Sequence, residues 1–229
     1  MVTTGLTLAL DAAASVGTVA VLRDGALIAE RTIEMRSDGE ERYFPAILVT
    51  LAQAGTSTRE IDRVVCGAGP GSFTSLRVAG ALAKGLAHGS GRPLFGVPSL
   101  ALIVAASLDT LAPGSRWLAT LDAMRGDRYA ALVEVGPQGA IISVEQLGLL
   151  SAEILAERAS ALRAQLVGPD EAVGAMPHAR GLVRCLGLLD TVAESDLASW
   201  EPAYGRLAEA QVKWEAAHGR ALDAGRSSA

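Results

Sequence analysis

Residues 67–87 read GAGPGSFTSLRVAGALAKGLA. Glycines, then hydroxyl residues, then a helix are the materials of a phosphate-binding loop, in which backbone amides at a helix N-terminus face an anion. The templates for that chemistry are not met. A Walker loop needs a lysine directly after its last glycine, and none comes before Lys84, deep in the helix. The dinucleotide fingerprint G-x-G-x-x-G is missed by one position, because Gly67 and Gly69 are followed by Gly71. It also follows a later strand, with no acid about 20 residues on. A nucleophile elbow G-x-S-x-G is absent as well.

Other reactive groups are scattered. Asp11 closes the first apolar run and could help to hold Mg²⁺ or phosphate, or could serve as a turn carboxylate. Asp122, Arg125 and Asp127 in LDAMRGDRY stand at the equivalent place further on, where they could line the same cleft or form a polar turn. His88, His178 and His218 lie far apart, none near a second ligand at metal-binding spacing, so no local metal site is expected. Cys66 and Cys185 sit in apolar contexts and are expected to be buried, reduced thiols. No nucleophile–base pair can be assembled.

The elements that must position these groups follow from periodicity. LTLALD (6–11) reads as a strand, and 17–35 as two more around the turn RDG, with Gly25 supplying a positive φ. Phe44, Ile47, Leu48 and Leu51 then repeat at helical spacing, within a helix expected over 37–55 that starts late or kinks at Pro45 and is capped by Gly55. STRE (57–60) is a capping box. A strand (63–69), the long helix, a strand (92–97) and a helix (98–112) with Ser99 as N-cap complete the first half. After PGS (113–115) the theme restarts with strands at 116–123, 127–135 and 140–150 around the turn GPQG. Each half opens with a strand ending in an acid–small pair, Asp11-Ala12 and Asp122-Ala123, and then a hairpin. This predicts a duplicated α/β fold with lobes at 1–112 and 113–229. A helix (151–162), a strand (164–168), a helix (180–193) and a closing loop and helix (201–222) follow. The last helix, from about residue 203, could pack back on the first lobe.

Composition narrows the function. Half of the 229 residues are apolar and a fifth are charged, as in a globular chain with a real core. No run approaches the ~18 apolar residues of a membrane span, and no cation precedes the first apolar stretch as in a signal peptide. A cytoplasmic protein is expected. Net charge is −5 and Lys84 and Lys213 are the only lysines, so no basic stripe suits direct grip on nucleic acid. Contact with nucleic acid would run through a partner.

The helix after the glycines is more informative. Stepped at ~100° per residue, Arg77 and Lys84 share one side, Val78, Leu82 and Leu86 a second, and Ala79, Gly80, Ala83 and Ala87 a third. The apolar arc covers roughly 220°, against ~100° for an ordinary surface helix. Either the helix is buried in its own domain, or its small-residue strip meets another chain. The second alternative predicts an interface of Ser72, Phe73, Leu76, Ala79, Gly80, Ala83 and Ala87 beside Tyr43, Phe44, Ile47 and Leu51.

GPGSFTSLRVA (69–79) resembles the signature GPGSFTGxRxG of the bacterial tRNA threonylcarbamoyladenosine biosynthesis proteins, the TsaB or YeaZ-like group of the Gcp-like, glycoprotease-related family. LALDAAASVGTVAVLRDG is similar to that family's opening strand and hairpin, GVPSLALIVAA to the stretch after the signature helix, LDAMRGDRYAALVEV to its DARxGEVY segment and EPAYGR to its closing PxYLR. The resemblance implies an actin-like ATPase (ASKHA) fold of two related lobes, each a mixed sheet opened by a hairpin and flanked by helices. It implies a non-catalytic subunit needing no cofactor of its own, which dimerises with and activates a TsaD-like paralogue carrying the ATP and metal ion. That paralogue threonylcarbamoylates the tRNA adenosine 3′ of the anticodon. A TsaE-like ATPase, a second copy of the chain and tRNA, through the complex, are the other implied partners. The N-terminal helices are the implied pairing surface, and Asp11, Ser15 and Asp122 mark a vestigial nucleotide cleft. The family's first loop reads Asp-Thr-Ala or Asp-Thr-Ser where this chain has Asp11-Ala12-Ala13, with Ser15 the nearest hydroxyl. A histidine common before the family's first helix is missing from SDGEE (37–41), Ser75 and Ala79 replace signature glycines, and 170–200 matches poorly. A nucleotide-dependent ATPase or kinase of the same fold is the competing expectation. A peptidase finds no nucleophile or metal set.

Overall fold

The computed structural model describes residues 4–35, 42–107, 109, 111–124, 126–190 and 194–205. The first sheet is built from β1 (Leu6–Asp11), β2 (Val16–Arg23), β3 (Ala26–Glu34), β4 (Arg63–Gly67) and β5 (Leu94–Val97), in the order β3-β2-β1-β4-β5. β1, β2 and β3 are antiparallel, whereas β4 and β5 run parallel to β1. The second sheet repeats the pattern with β6 (Arg116–Asp122), β7 (Asp127–Val135), β8 (Ile141–Ser151), β9 (Gln165–Gly168) and β10 (Val173–Gly174), in the order β10-β9-β6-β7-β8. Every strand of one sheet has a counterpart of the same direction in the other. The duplication reaches individual residues: Asp11 pairs with Thr18 at the end of β1, and Asp122 with Arg128 at the end of β6. This is the two-lobed actin-like α/β fold.

Helices alternate with the sheets. α1 (Tyr43–Gln53) and α2 (Phe73–Ser90) cover one face of the first sheet, where Leu8, Leu10, Val19, Val21, Val64 and Cys66 meet Ile47, Leu51, Ala79 and Ala83. α3 (Ser99–Ser107) is buried between the sheets, and its core joins Ala9, Ala20 and Val65 to Trp117, Ala119 and Val133. α5 (Leu182–Leu189) shares that layer, and α4 (Ala152–Leu162) covers the outer face of the second sheet through Leu155 and Ala159. Strands covered on both faces need continuous apolar runs, which is why LTLALD carries so few polar residues.

Local signals explain most boundaries. Pro45 is the third residue of α1, in the first turn where its missing N–H has no intrahelical partner to lose. The expected helix start over 37–41 lies outside the described residues. Gly91 ends α2 in the left-handed conformation, and Ser57 and Glu60 form the expected capping box. Ser99 is not an N-cap: it is the first residue of α3, and its hydroxyl is directed to Asp11. α3 ends at Ser107, short of the expected 112, and α5 spans only Leu182–Leu189. Residues 201–205 are not helical, and the rest of the expected closing helix lies outside the described residues.

Candidate functional site

Three amides of the glycine loop are taken by the chain around it. Ala68 N–H donates to Val97 O (2.7 Å), Gly69 N–H to Ser99 Oγ (3.0 Å) and Ser72 N–H to Ala13 O (2.7 Å). Ser99 N–H returns to Gly69 O (3.0 Å). Gly69 has φ +82° and lies against the Ala203 carbonyl, while Gly71 lies against that of Ala13. Those three amides, spent on these partners, do not face an anion, and the loop makes a tight turn between β4 and α2.

The helix after it faces the other way from the expected interface. Ala79, Ala83 and Ala87 are 0% exposed and pack on the first sheet, and Leu76 enters the core beside α3. Gly80 takes Trp200 and Pro202 of the same chain. Small side chains therefore bring α2 close to its own sheet and to residues 200–202. On α1, Ile47 and Leu51 are core residues, and the Tyr43 hydroxyl lies 2.9 Å from Asp11 O and 2.8 Å from Thr18 O, donating to that pair. Seven of the eleven expected interface residues, Tyr43, Ile47, Leu51, Leu76, Ala79, Ala83 and Ala87, are thus interior. Gly80 is covered as well. Phe44 and Ser72 remain exposed, and Phe73 is half-buried, its ring 4.7 Å from that of Tyr204 with Arg77 over it.

The outward face is different and still apolar. Phe44, Leu48 and Val49 on α1 are 39%, 44% and 45% exposed. On α2 the outward residues are Thr74, Arg77, Ala81 and Gly85, with Val78 and Leu82 half-buried. Both helices lie on one side of the first sheet, so these residues share a side. Leu48 and Val49 were findable in the sequence: α1 is apolar all round, more than one sheet can cover.

The expected nucleotide-cleft residues do not converge. Asp11 is fully buried; Oδ1 accepts the Ala13 N–H (3.0 Å) and Oδ2 the Ser99 hydroxyl (2.5 Å). Burial raises its pKa to about 6, against the lowering effect of those two bonds. Ser15 and Asp122 are exposed, and Asp122 Oδ1 accepts from Arg128 (3.1 Å) and from Met124 N–H (3.1 Å). Arg125 and His218 lie outside the described residues. A β-carbon on Gly168 would come within 2.5 Å of Thr120 Oγ1, whose hydroxyl donates to Glu171. A cavity of about 680 Å³ does lie between the lobes, lined by Gly69, Pro98, Tyr129, Leu149 and Trp200. None of Asp11, Ser15 and Asp122 lines it. Among the described residues, Asp11, Ser15 and Asp122 do not form a nucleotide or metal site.

The remaining reactive groups are structural. Burial pushes the Cys66 thiol well up and that of Cys185 to about 12. His178 Nδ1 accepts the Arg180 N–H (3.1 Å), and burial lowers its pKa. Among the described residues no three His, Cys, Asp or Glu side chains converge as a metal site, and no helix is long and apolar enough to cross a membrane.

Two lobes of one topology and a glycine turn into a signature helix define an actin-like protein of the Gcp-like group. The family model described as TsaD, tRNA N6-adenosine threonylcarbamoyltransferase, matches residues 36–157. The tRNA threonylcarbamoyladenosine biosynthesis protein TsaB of Escherichia coli K12 is 32% identical over 160 residues, covering 70% of this chain and 68% of that protein. Its Bacillus subtilis 168 namesake is 27% identical, covering 90% and 96%. A Pseudomonas aeruginosa structure described as similar to peptidase YeaZ superposes with a TM-score of 0.71 at 24% identity, over 89% of this chain and 100% of that one. The chain belongs to the TsaB family of tRNA threonylcarbamoyladenosine biosynthesis proteins.

Proposed function

We propose that this chain is a non-catalytic subunit in threonylcarbamoylation of the tRNA adenosine 3′ of the anticodon. It pairs with a TsaD-like paralogue through the outer faces of α1 and α2 and activates it. Membership of the TsaB family supports the pathway. The pairing rests on one observation: Phe44, Leu48 and Val49 are large, apolar and exposed on the same side of the first sheet as the half-buried Val78 and Leu82, the character of a surface covered by another chain. ATP and a metal ion belong to the paralogue, and this chain requires neither. The absence of catalysis is supported by Asp11, whose carboxylate oxygens are taken by Ser99 and Ala13. A TsaE-like ATPase joins the assembly, tRNA is reached through the complex, a second copy of the chain is a further partner, and the setting is cytoplasmic.

Mixing the purified chain with the TsaD-like paralogue of the same organism, followed by size-exclusion chromatography with light scattering, tests this. A heterodimer is expected with the wild type and none with Leu48→Asp, whose exposed position leaves the fold intact. No complex with the wild type, with or without ATP and Mg²⁺, overturns the reading.

A further inference from the structure

Asp11 is the only fully buried acid among the described residues, and its twin Asp122 shows what the fold asks of that position by default. Both carboxylates accept the N–H two residues on, from Ala13 and from Met124. There the likeness ends. Asp122 turns outward to Arg128, whereas Asp11 turns inward, where no cation among the described residues meets it. The inward turn is possible because residue 67 is glycine: a β-carbon there would lie 1.8 Å from Asp11 Oδ2.

Asp11 reaches three elements, two through its carboxylate and one through its backbone carbonyl. Oδ2 accepts from Ser99 Oγ, which in turn accepts the Gly69 N–H and so fixes the start of the glycine loop. Oδ1 orients Ala13 through its N–H, and the Ala13 carbonyl accepts the Ser72 N–H at the threshold of α2. The backbone carbonyl of Asp11 accepts from the hydroxyl of Tyr43, the first residue of α1. Both ends of the loop that launches α2, and the first turn of α1, are therefore tied to one residue.

We infer that Asp11 is a positioning residue for the outer α1–α2 face: through Ser99, Ala13 and Tyr43 it sets where the two helices begin relative to the sheet. This rests on the reading of that face as the partner surface. It gives the acid a task different from holding a metal or phosphate.

Amide hydrogen exchange of the full chain tests the network without a partner. Ser99→Ala and Asp11→Asn are expected to speed exchange at Gly69 by about tenfold each, the effect of losing one hydrogen bond. Because they cut the same link, the double variant should exchange no faster than either single one. Asp11→Asn keeps the side chain's volume and the acceptor for Ala13, so Ala13 should stay protected, which a mere packing defect would not spare. Should Asp11→Asn fail to fold, Ser99→Ala, which removes one hydroxyl, carries the test. Unchanged exchange at Gly69, or additive effects, overturns the inference. The same variants are then titrated against the TsaD-like paralogue, with weaker binding expected. Faster exchange with unweakened binding, where Leu48→Asp abolishes binding, overturns the positioning role and leaves the subunit reading standing. Harmless Leu48→Asp removes that reading, and this inference with it.

Discussion

The ring of Trp200 closes over Gly80 in the middle of α2. A β-carbon at Gly80 would lie 3.5 Å from that ring and 3.2 Å from Pro202 Cγ. Around this contact Ser195 N–H donates to Leu94 O (2.8 Å), Ala203 N–H to Ala68 O (2.7 Å) and the Lys84 ammonium to Trp200 O (3.1 Å). Residues 195–203 thus form a strap across β5 and α2, and the small residue at 80 serves that strap.

Gly80→Leu should therefore displace the strap. The gain in helix propensity of about 1 kcal/mol is outweighed by overpacking, for a net loss of about 1–2 kcal/mol. Trp200 emission, followed with Trp117 and Trp214 replaced by Phe, should shift to the red as the indole meets water. Unchanged emission and an unchanged urea midpoint would mean that Trp200 does not depend on Gly80.

Two alanines on α2 separate its inner from its outer face. Ala79 is fully buried against the sheet and Ala81 is exposed. Ala79→Glu places an unpaired carboxylate in the core and should cost about 4 kcal/mol or more, enough to unfold many domains. Ala81→Glu should stay within about 0.5 kcal/mol of the wild type. Thermal melts followed by circular dichroism read both. A normally folded Ala79→Glu protein would return Ala79 to the surface.

The sequence made the hairpins, the duplicated lobes and the helices legible because each rests on local signals: the Gly25 turn, the box of Ser57 and Glu60, and the Asp-Ala pairs at the ends of β1 and β6. The direction of α2 was not legible. An alanine–glycine strip suits close approach to a sheet as well as to a helix, and the choice depended on residues 200–202, more than 100 positions away. Ser99 shows the same limit, since a serine opening a helix reads as a cap until Asp11 arrives from another strand. Asp11 itself looked like a cleft residue because nothing local reveals that Gly67 leaves room for it inside.

The burial of Asp11 makes stability depend on pH. Its pKa rises from 3.8 to about 6 through desolvation, which outweighs the bonds from Ser99 and Ala13. The folded chain thus holds this proton more tightly than the unfolded one. The resulting stabilisation is complete below about pH 4 and is lost as pH rises through about 6. At ~1.4 kcal/mol per tenfold the change is roughly 3 kcal/mol. Asp11→Asn cannot ionise, so its stability relative to the wild type should climb between about pH 4 and 6.5 and then level off. Urea midpoints of both proteins across that range measure it. A difference flat with pH would show that Asp11 does not titrate in the interior.

Gly67→Ala probes the same contact from the opposite side. The added methyl would lie 1.8 Å from Asp11 Oδ2 and 2.9 Å from Ser99 Oγ, both on fully buried side chains. The exchange should cost about 3 kcal/mol or more, although alanine in place of strand glycine ordinarily stabilises by roughly 0.5–1 kcal/mol. Removing the carboxylate first reverses the expectation. In an Asp11→Ala background the methyl fills space left by the acid, and Gly67→Ala should be close to neutral. A double-mutant cycle by urea denaturation should then show a coupling of about 2 kcal/mol or more, near the upper range for residues in contact. Additive effects would mean that the strain at position 67 comes from the backbone rather than from Asp11.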